Sequence, residues 1–261
     1  LAYVIMIILI WIPMARRKSL AFLDVGQGDC FVADTKSGAI IFDGGSSSED
    51  QVGRYRILPY MKYLGYQKIQ IAVISHMDID HYSGIKELLE MGKIKYLGLP
   101  EIPKDETMKK IIGIAKKRGT TIFYLSRGRQ ITTKDGSLKV LHPQKNSQME
   151  KNVASLVMQG KILGYRVLLT GDVEKEGEEE LLSEELERAD ILKAAHHGSK
   201  NSTSNEFLQK VQPKQTVISC GKQNRYGHPH LETIHRLQTY RTKIYRTDRS
   251  GAIIFFKRRD G

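Results

Sequence analysis

The sequence predicts an α/β domain of mixed β-sheets with helices on the outside. Three observations predict it. From Ser19 onward, short β-branched apolar runs bounded by Gly, Asp or Pro recur along the chain. Amphipathic stretches enter between the later runs, whereas short turns join the first three, so the order is not a strict βαβ series. Polar, metal-capable residues stand repeatedly where an apolar run stops. Hydrophobic content of 40% and charged content of 27% over 261 residues suit a globular protein with a sizeable core.

Taken in order, strands are expected over 19–23, 30–33, 39–42, 69–75, 95–97, 121–125, 137–141, 154–159, 166–169, 191–194, 216–219, 243–245 and 252–256. Helices are expected over 54–63, 83–91, 105–117, 174–186, 204–211 and 231–239. In the third helix Met108, Ile111, Ile112 and Ala115 share one face. Ser204 followed by Glu206 suits the start of the fifth. The acidic stretch 174–187 reads as a solvated helix face. No Gly-rich phosphate loop follows a strand, so nucleotide-cofactor chemistry is not indicated.

The chain opens on an apolar run, Leu1 to Pro13, shorter than the roughly 20 residues that span a bilayer. Arg16-Arg17-Lys18 follow it, whereas a secretory signal carries its charge before the apolar run. Residues 1–13 are therefore expected to be the end of a transmembrane segment, with Trp11 at the interface. Residues 14–18 then form a basic linker and 19–261 a single domain. The formal net charge of +12 favours polyanionic partners: nucleic acid, acidic wall polymers or anionic lipid. Cys30 and Cys220 are too few for a disulfide framework and are expected to be buried free thiols.

The chemistry concentrates in Ser75-His76-Met77-Asp78-Ile79-Asp80-His81, directly after the apolar run Ile71 to Ile74. Residues two apart on an extended chain share a face, so His76, Asp78 and Asp80 converge as the chain leaves the sheet. Asp43-Gly44-Gly45, Asp172, His196-His197-Gly198-Ser199 and Gly227-His228-Pro229-His230 repeat the arrangement downstream. Strand ends on one sheet edge make a natural site. Carboxylates and imidazoles gathered there suit divalent cations.

The segment around His76 resembles the His-x-His-x-Asp-His signature of the metallo-β-lactamase superfamily. The wider set resembles the C-terminal hydrolase domain of the ComEC family of bacterial competence DNA-uptake membrane proteins. It comprises Phe22 to Asp29, Asp43-Gly44-Gly45, the His76 to His81 core, Asn152 to Val157, Leu168 to Asp172, His196 to Ser199 and Gly227 to His230, in that order. The resemblance implies a four-layer αββα sandwich holding two divalent metal ions. Asp80, His81 and His196 would hold one ion, His76 and Asp78 the other, with Asp172 between them. His197 is expected to point elsewhere, and Asp24 or Asp29 to brace the metal loops. Asp78 stands where the superfamily usually has histidine; Asn152, or its rival His142, takes the third-histidine slot. These oxygen-rich ligands favour Mn²⁺, with Zn²⁺ as the alternative.

The implied reaction is hydrolysis of a phosphodiester by water activated at the metal centre. Asp80 or Asp172 would orient the water, His228 and His197 would serve the leaving group, and Asn152, Ser199 and His228 would contact phosphate. The implied partners are DNA, bound as a single strand through its phosphates, the membrane, and the competence uptake machinery. The implied location is the outer face of the cytoplasmic membrane. Tyr55, Tyr82 and Tyr226 lie near the motifs as candidates for base stacking, against the alternative of core or turn positions. Two other readings remain open: a phosphocholine or teichoic-acid esterase of the same superfamily, and a non-catalytic DNA guide.

Overall fold

The structure, a computed structural model, describes residues 17–147, 154–184 and 186–257. The first sheet collects β1 (Ser19–Phe22), β2 (Phe31–Thr35), β3 (Gly38–Phe42), β4 (Ile69–Val73), β5 (Ile94–Pro100), β6 (Thr121–Leu125) and β14 (Ile253–Phe256), in the order β14-β1-β2-β3-β4-β5-β6. The second collects β7 (Gln130–Thr133), β8 (Gly136–His142), β9 (Val157–Ile162), β10 (Tyr165–Leu169), β11 (Ile191–Lys193), β12 (Gln215–Ile218) and β13 (Lys243–Arg246), in the order β13-β12-β11-β10-β9-β8-β7. Each sheet is antiparallel in one half and parallel in the other. Pairing is parallel from β3 to β6 and from β10 to β13.

The two sheets stack face to face, and strand alternation divides the core into three layers. Leu20 and Phe22 of β1 join Val167 and Leu169 of β10 between the sheets. Ala21 faces the other way, into a layer with Ile85, Leu88 and Leu89 of α2 (Ile79–Glu90) and Met108, Ile111 and Ala115 of α3 (Glu106–Lys117). The same layer takes Ile57 and Met61 from a π-turn, Gly53–Ile57, that runs into α1 (Leu58–Tyr63). Leu168 faces the third layer, formed by α4 (Lys175–Leu182), α5 (Asn205–Val211) and α6 (Leu231–Thr239). The result is the four-layer αββα sandwich. A short α7 (Thr247–Ser250) links β13 to β14.

All the expected strands form, most with shifted ends. The sequence reading missed β7, whose Gln-Ile-Thr-Thr buries only Ile131, because an exposed edge strand carries little apolar signal. The second helix starts four residues before the expected 83, so Asp80 and His81 lie in its first turn. Asp105 caps α3, accepting from the Met108 N–H at 2.7 Å. The acidic stretch is not wholly solvated. Glu178 is buried, and its carboxylate accepts from the N–H groups of Thr203 and Ser204 at the start of α5.

Cys30 and Cys220 are buried and free. Lys18, at the end of the expected linker, is docked on the domain, donating to Asp34 at 2.8 Å and to the Tyr66 hydroxyl at 3.0 Å. The expected transmembrane segment lies outside the described residues. Among those described, no helix is long and apolar enough to cross a membrane.

Candidate metal centre

The parallel halves of both sheets end on one edge, where the polar motifs collect. β3 runs into Asp43, β4 into Ser75 and His76, β10 into Asp172, and β11 into His196 and His197. Asp29 enters from the loop before β2, its N–H donating to the Asp80 carbonyl at 3.0 Å.

One ligand atom from each of Asp29, His81, Asp172 and His197 falls within 4.8 Å of the others, and all four residues are buried. Asp172 Oδ2 is the hub, 3.1 Å from His81 Nε2 and 3.4 Å from His197 Nε2. Asp80 Oδ2 lies 3.3 Å from His197 Nε2. His76 packs against His81 at a tilt of 50° with ring centroids 4.1 Å apart, and its Nε2 is 3.6 Å from Asp78 Oδ2.

The imidazoles share one arrangement. His81 Nδ1 is 2.9 Å from Asp43 Oδ2, His76 Nδ1 is 3.0 Å from Ser75 Oγ, and His197 Nδ1 is 2.8 Å from the Ser219 carbonyl. The Nε2 atoms of all three are buried without a hydrogen-bond partner. An imidazole held at one nitrogen by an oxygen, with the other turned toward carboxylates, is the donor arrangement of a metal ligand. Asp43 anchors the group by also accepting from the Ser75 N–H at 2.7 Å and the Ser75 hydroxyl at 2.8 Å. The residues present therefore fit divalent cations.

Charge points the same way. Burial pulls the His81 and His197 pKa values down, but Asp172, with Asp43 for His81 and Asp29 for His197, more than reverses this. His81 ends well above its ordinary value and His197 at about 10. Asp80 falls to about 2, its burial outweighed by the neighbouring imidazoles of His197, 3.3 Å away, and His81. Without a metal, protons on the imidazoles balance the carboxylates.

Lys193, which the sequence reading passed over, is a permanent cation in the same centre. It is buried, ion-paired to Asp29, bonded to the Gly171 carbonyl at 2.8 Å and 3.4 Å from Asp172 Oδ1. A lysine inside the apolar run Ile191 to Ala195 was the available signal, since a buried charge needs a partner. Asp29, one of the two expected braces, pairs with Lys193 and also offers a carboxylate oxygen to the cluster. Asp24 closes its own turn, accepting from the Gly26 N–H at 3.2 Å.

The two adjacent histidines exchange the places expected of them. The resemblance placed His196 on the metal and a strand-end reading turned His197 away, but the backbone at both is left-handed, with φ of 47° and 52°. His197 consequently faces Asp80 and Asp172. His196 sits at the rim, with Nδ1 2.9 Å from Glu174 and Nε2 3.8 Å from Asp172. Gly198 continues the turn at φ 83°, and a Cβ there would stand 2.6 Å from Pro229 Cβ, which locks the His-His-Gly turn against the Gly-His-Pro-His loop.

That loop brings His228 to 6.1 Å from His197 and 5.6 Å from His196 between ring centroids. Burial and the neighbouring imidazoles hold its pKa at about 4 in the metal-free site.

The remaining expectations divide. Ser199 is buried, its Oγ accepting from the Asn201 N–H, and none of its bonds reaches the cluster. His142 contacts the Ser155 carbonyl at 3.0 Å and Glu180 at 3.5 Å, again away from the cluster. Asn152 lies outside the described residues. His230 precedes α6 and accepts from the Lys200 N–H. Tyr82 packs against the first helical layer, and Tyr55 is exposed on the π-turn.

Residues 23–222 match the family model of the metallo-β-lactamase superfamily. The chain belongs to that superfamily. Members bind divalent metals, typically two, as the donor set here suits. Among solved structures, the superfamily fold protein YhfI from Bacillus subtilis superposes with a TM-score of 0.60 at 14% identity, covering 90% of this chain and 99% of that one. Among curated proteins, ComE operon protein 3 of Bacillus subtilis (strain 168) is 35% identical over 99% of this chain and 35% of its own length. Competence protein ComA of Neisseria gonorrhoeae is 30% identical over 94% of this chain and 33% of its length. Both are ComEC-family competence proteins, and the chain spans about a third of each.

Proposed function

We propose that this domain is a metal-dependent phosphodiesterase that degrades a DNA strand during competence uptake, as the soluble part of a longer membrane protein. The observation that carries the chemistry is the set of buried, unpartnered imidazole Nε2 atoms facing Asp172 and Asp80. The substrate rests on the kinship with competence proteins and on the net charge of +12.

His81, His197, Asp172 and Asp80 would hold one divalent ion, and His76 with Asp78 a second, with Asp172 between them. The carboxylate share of these donors favours Mn²⁺ over Zn²⁺. When bound, such ions supply Lewis-acid activation of water and neutralise charge on the phosphate. The protein's own residues do the rest. Asp43 and the Ser219 carbonyl fix the imidazole tautomers, so that Nε2 keeps its lone pair. Lys193 offsets part of the carboxylate charge without using a metal position. His228 offers a ring N–H as a hydrogen bond to a phosphate oxygen. The domain would face the outer side of the cytoplasmic membrane, since large domains translocate largely regardless of flanking charge.

The test is cleavage of labelled single-stranded DNA by the purified domain with Mn²⁺ or Zn²⁺, beside a phosphocholine ester. The proposal expects DNA cleavage that chelator stops and that Asp172→Ala and His81→Ala remove. Choline release with DNA spared would make it an esterase, and DNA binding without cleavage under any metal would make it a guide.

A further inference from the structure

At the mouth of the centre three rings lead outward. His197 lies at the metal cluster and His228 stands 6.1 Å from it at an interplanar angle of 29°. Tyr226 stacks on His228 at 5.6 Å and 21°, and is 43% exposed. Arg225 covers the tyrosine ring, its guanidinium 4.9 Å from the centroid and donating to the phenol oxygen at 2.7 Å. Arg225 and Tyr226, with Lys222, form one wall of a cavity of about 240 Å³. Gln27, Ser47 and Ser48 form the other.

The platform is fixed before any ligand arrives. Asn224 ties its loop by donating to the carbonyls of Gly221 and His228 at 2.9 and 2.6 Å and accepting from the His228 N–H at 3.0 Å. Gln27, 2% exposed, accepts from the Gly221 N–H at 3.1 Å, which leaves its amide nitrogen without a hydrogen-bond partner. A cavity with an exposed ring and two cations in Lys222 and Arg225 suits a ligand that is aromatic at one end and anionic at the other. A nucleotide is such a ligand. Several basic residues elsewhere are already committed: Arg127 to Glu180 and Glu184, Arg236 to main-chain carbonyls, Arg246 to Asp248.

The geometry points to this cavity as a nucleotide subsite beside the metal centre, in which the exposed Arg225 swings off the Tyr226 face it covers to pair with a phosphate, and a flanking base of the DNA strand takes its place on that ring. The inference rests on the nuclease reading for its substrate. Stacking reads every base through its π-face, so the subsite grips single strands without sequence preference, and a base paired within a duplex is withheld from it.

The experiment is fluorescence-anisotropy binding of the chelated domain to a short oligothymidylate and to an abasic oligomer of equal length. Tyr226→Ala is expected to weaken oligothymidylate binding about tenfold, with Tyr226→Phe near the parent and no difference between parent and Tyr226→Ala on the abasic oligomer. Arg225→Ala is expected to lower the slope of log affinity against log salt by about one. Unchanged oligothymidylate binding by Tyr226→Ala, or an equal loss on the abasic oligomer, overturns the stacking subsite. An unchanged salt slope overturns the phosphate contact. Circular dichroism and a thermal melt check that the variants fold. Hydrolysis of bis(para-nitrophenyl) phosphate by the metal-loaded parent tests the phosphodiesterase reading by itself, so the two ideas fail separately.

Discussion

Replacing Asp43 with asparagine isolates the role of a single carboxylate. Asp43 is fully buried and its backbone φ is 59°, a conformation asparagine also accepts, so the change leaves the backbone unstrained. Its Oδ1 accepts from the Ser75 N–H, and its Oδ2 serves both the Ser75 hydroxyl and His81 Nδ1. An amide NH₂ at the Oδ1 position faces the Ser75 N–H, donor against donor. At the Oδ2 position it forces His81 to move its proton to Nε2, which removes the lone pair a metal needs. Either way one charge-assisted hydrogen bond is lost and a buried donor is unsatisfied. A hydrogen bond to a charged group contributes about 1.5–3 kcal/mol, and the metal-free domain should lose that much in urea unfolding. Loss of such an outer partner weakens metal binding by about 10- to 100-fold. Calorimetric titration of the chelated, dialysed protein with Mn²⁺ measures it. An Asp43→Asn domain with the parent's urea midpoint and metal affinity would refute the assignment of Asp43 as the orienting partner of His81.

Metal binding at pH 7 should release protons, because His197 at about 10 and His81, well above its ordinary value, are charged in the free site. Calorimetry in buffers of different ionisation enthalpy reads the number released, and none released contradicts these shifts. The same shifts set the pH dependence of the metal-free fold. Both imidazoles have raised folded pKa values, so their contribution is complete below the unfolded value near 6.5 and is lost as pH rises toward 10. The urea midpoint in chelator should fall over that window. Lys193→Met strands Asp29 and should destabilise the domain by about 3–5 kcal/mol, with partial recovery in the Asp29→Asn double variant. No recovery would mean the pair is not the cause. Gly45→Ala places a Cβ 2.5 Å from the Ile79 carbonyl oxygen and 2.6 Å from the His81 nitrogen, so it should cost about 1–3 kcal/mol and weaken metal binding. A neutral thermal melt would show that the two loops move apart freely.

Most of the framework was legible in the sequence because its strands are buried on both faces and read as continuous apolar runs. The motifs at their ends then fell on one edge without further information. What stayed hidden has local causes. The exchange of His196 and His197 follows from a left-handed turn, which breaks the alternation that a strand reading assumes. Lys193 hid inside an apolar run because its charge is cancelled by Asp29, distant in sequence and adjacent in space. Glu178 looked like one more solvated glutamate because its partners, the N–H groups of Thr203 and Ser204, belong to another helix. The π-turn at Gly53–Ile57 gave no pattern of its own and read as the start of an ordinary helix.

The most direct test of the account is the rate at which the chelator-stripped domain cuts labelled single-stranded DNA as Mn²⁺ is titrated back. The account predicts no cleavage in chelator, a rate that rises and saturates with Mn²⁺, and no rise in His197→Ala. Cleavage that ignores chelator, or that survives intact in His197→Ala, would contradict it.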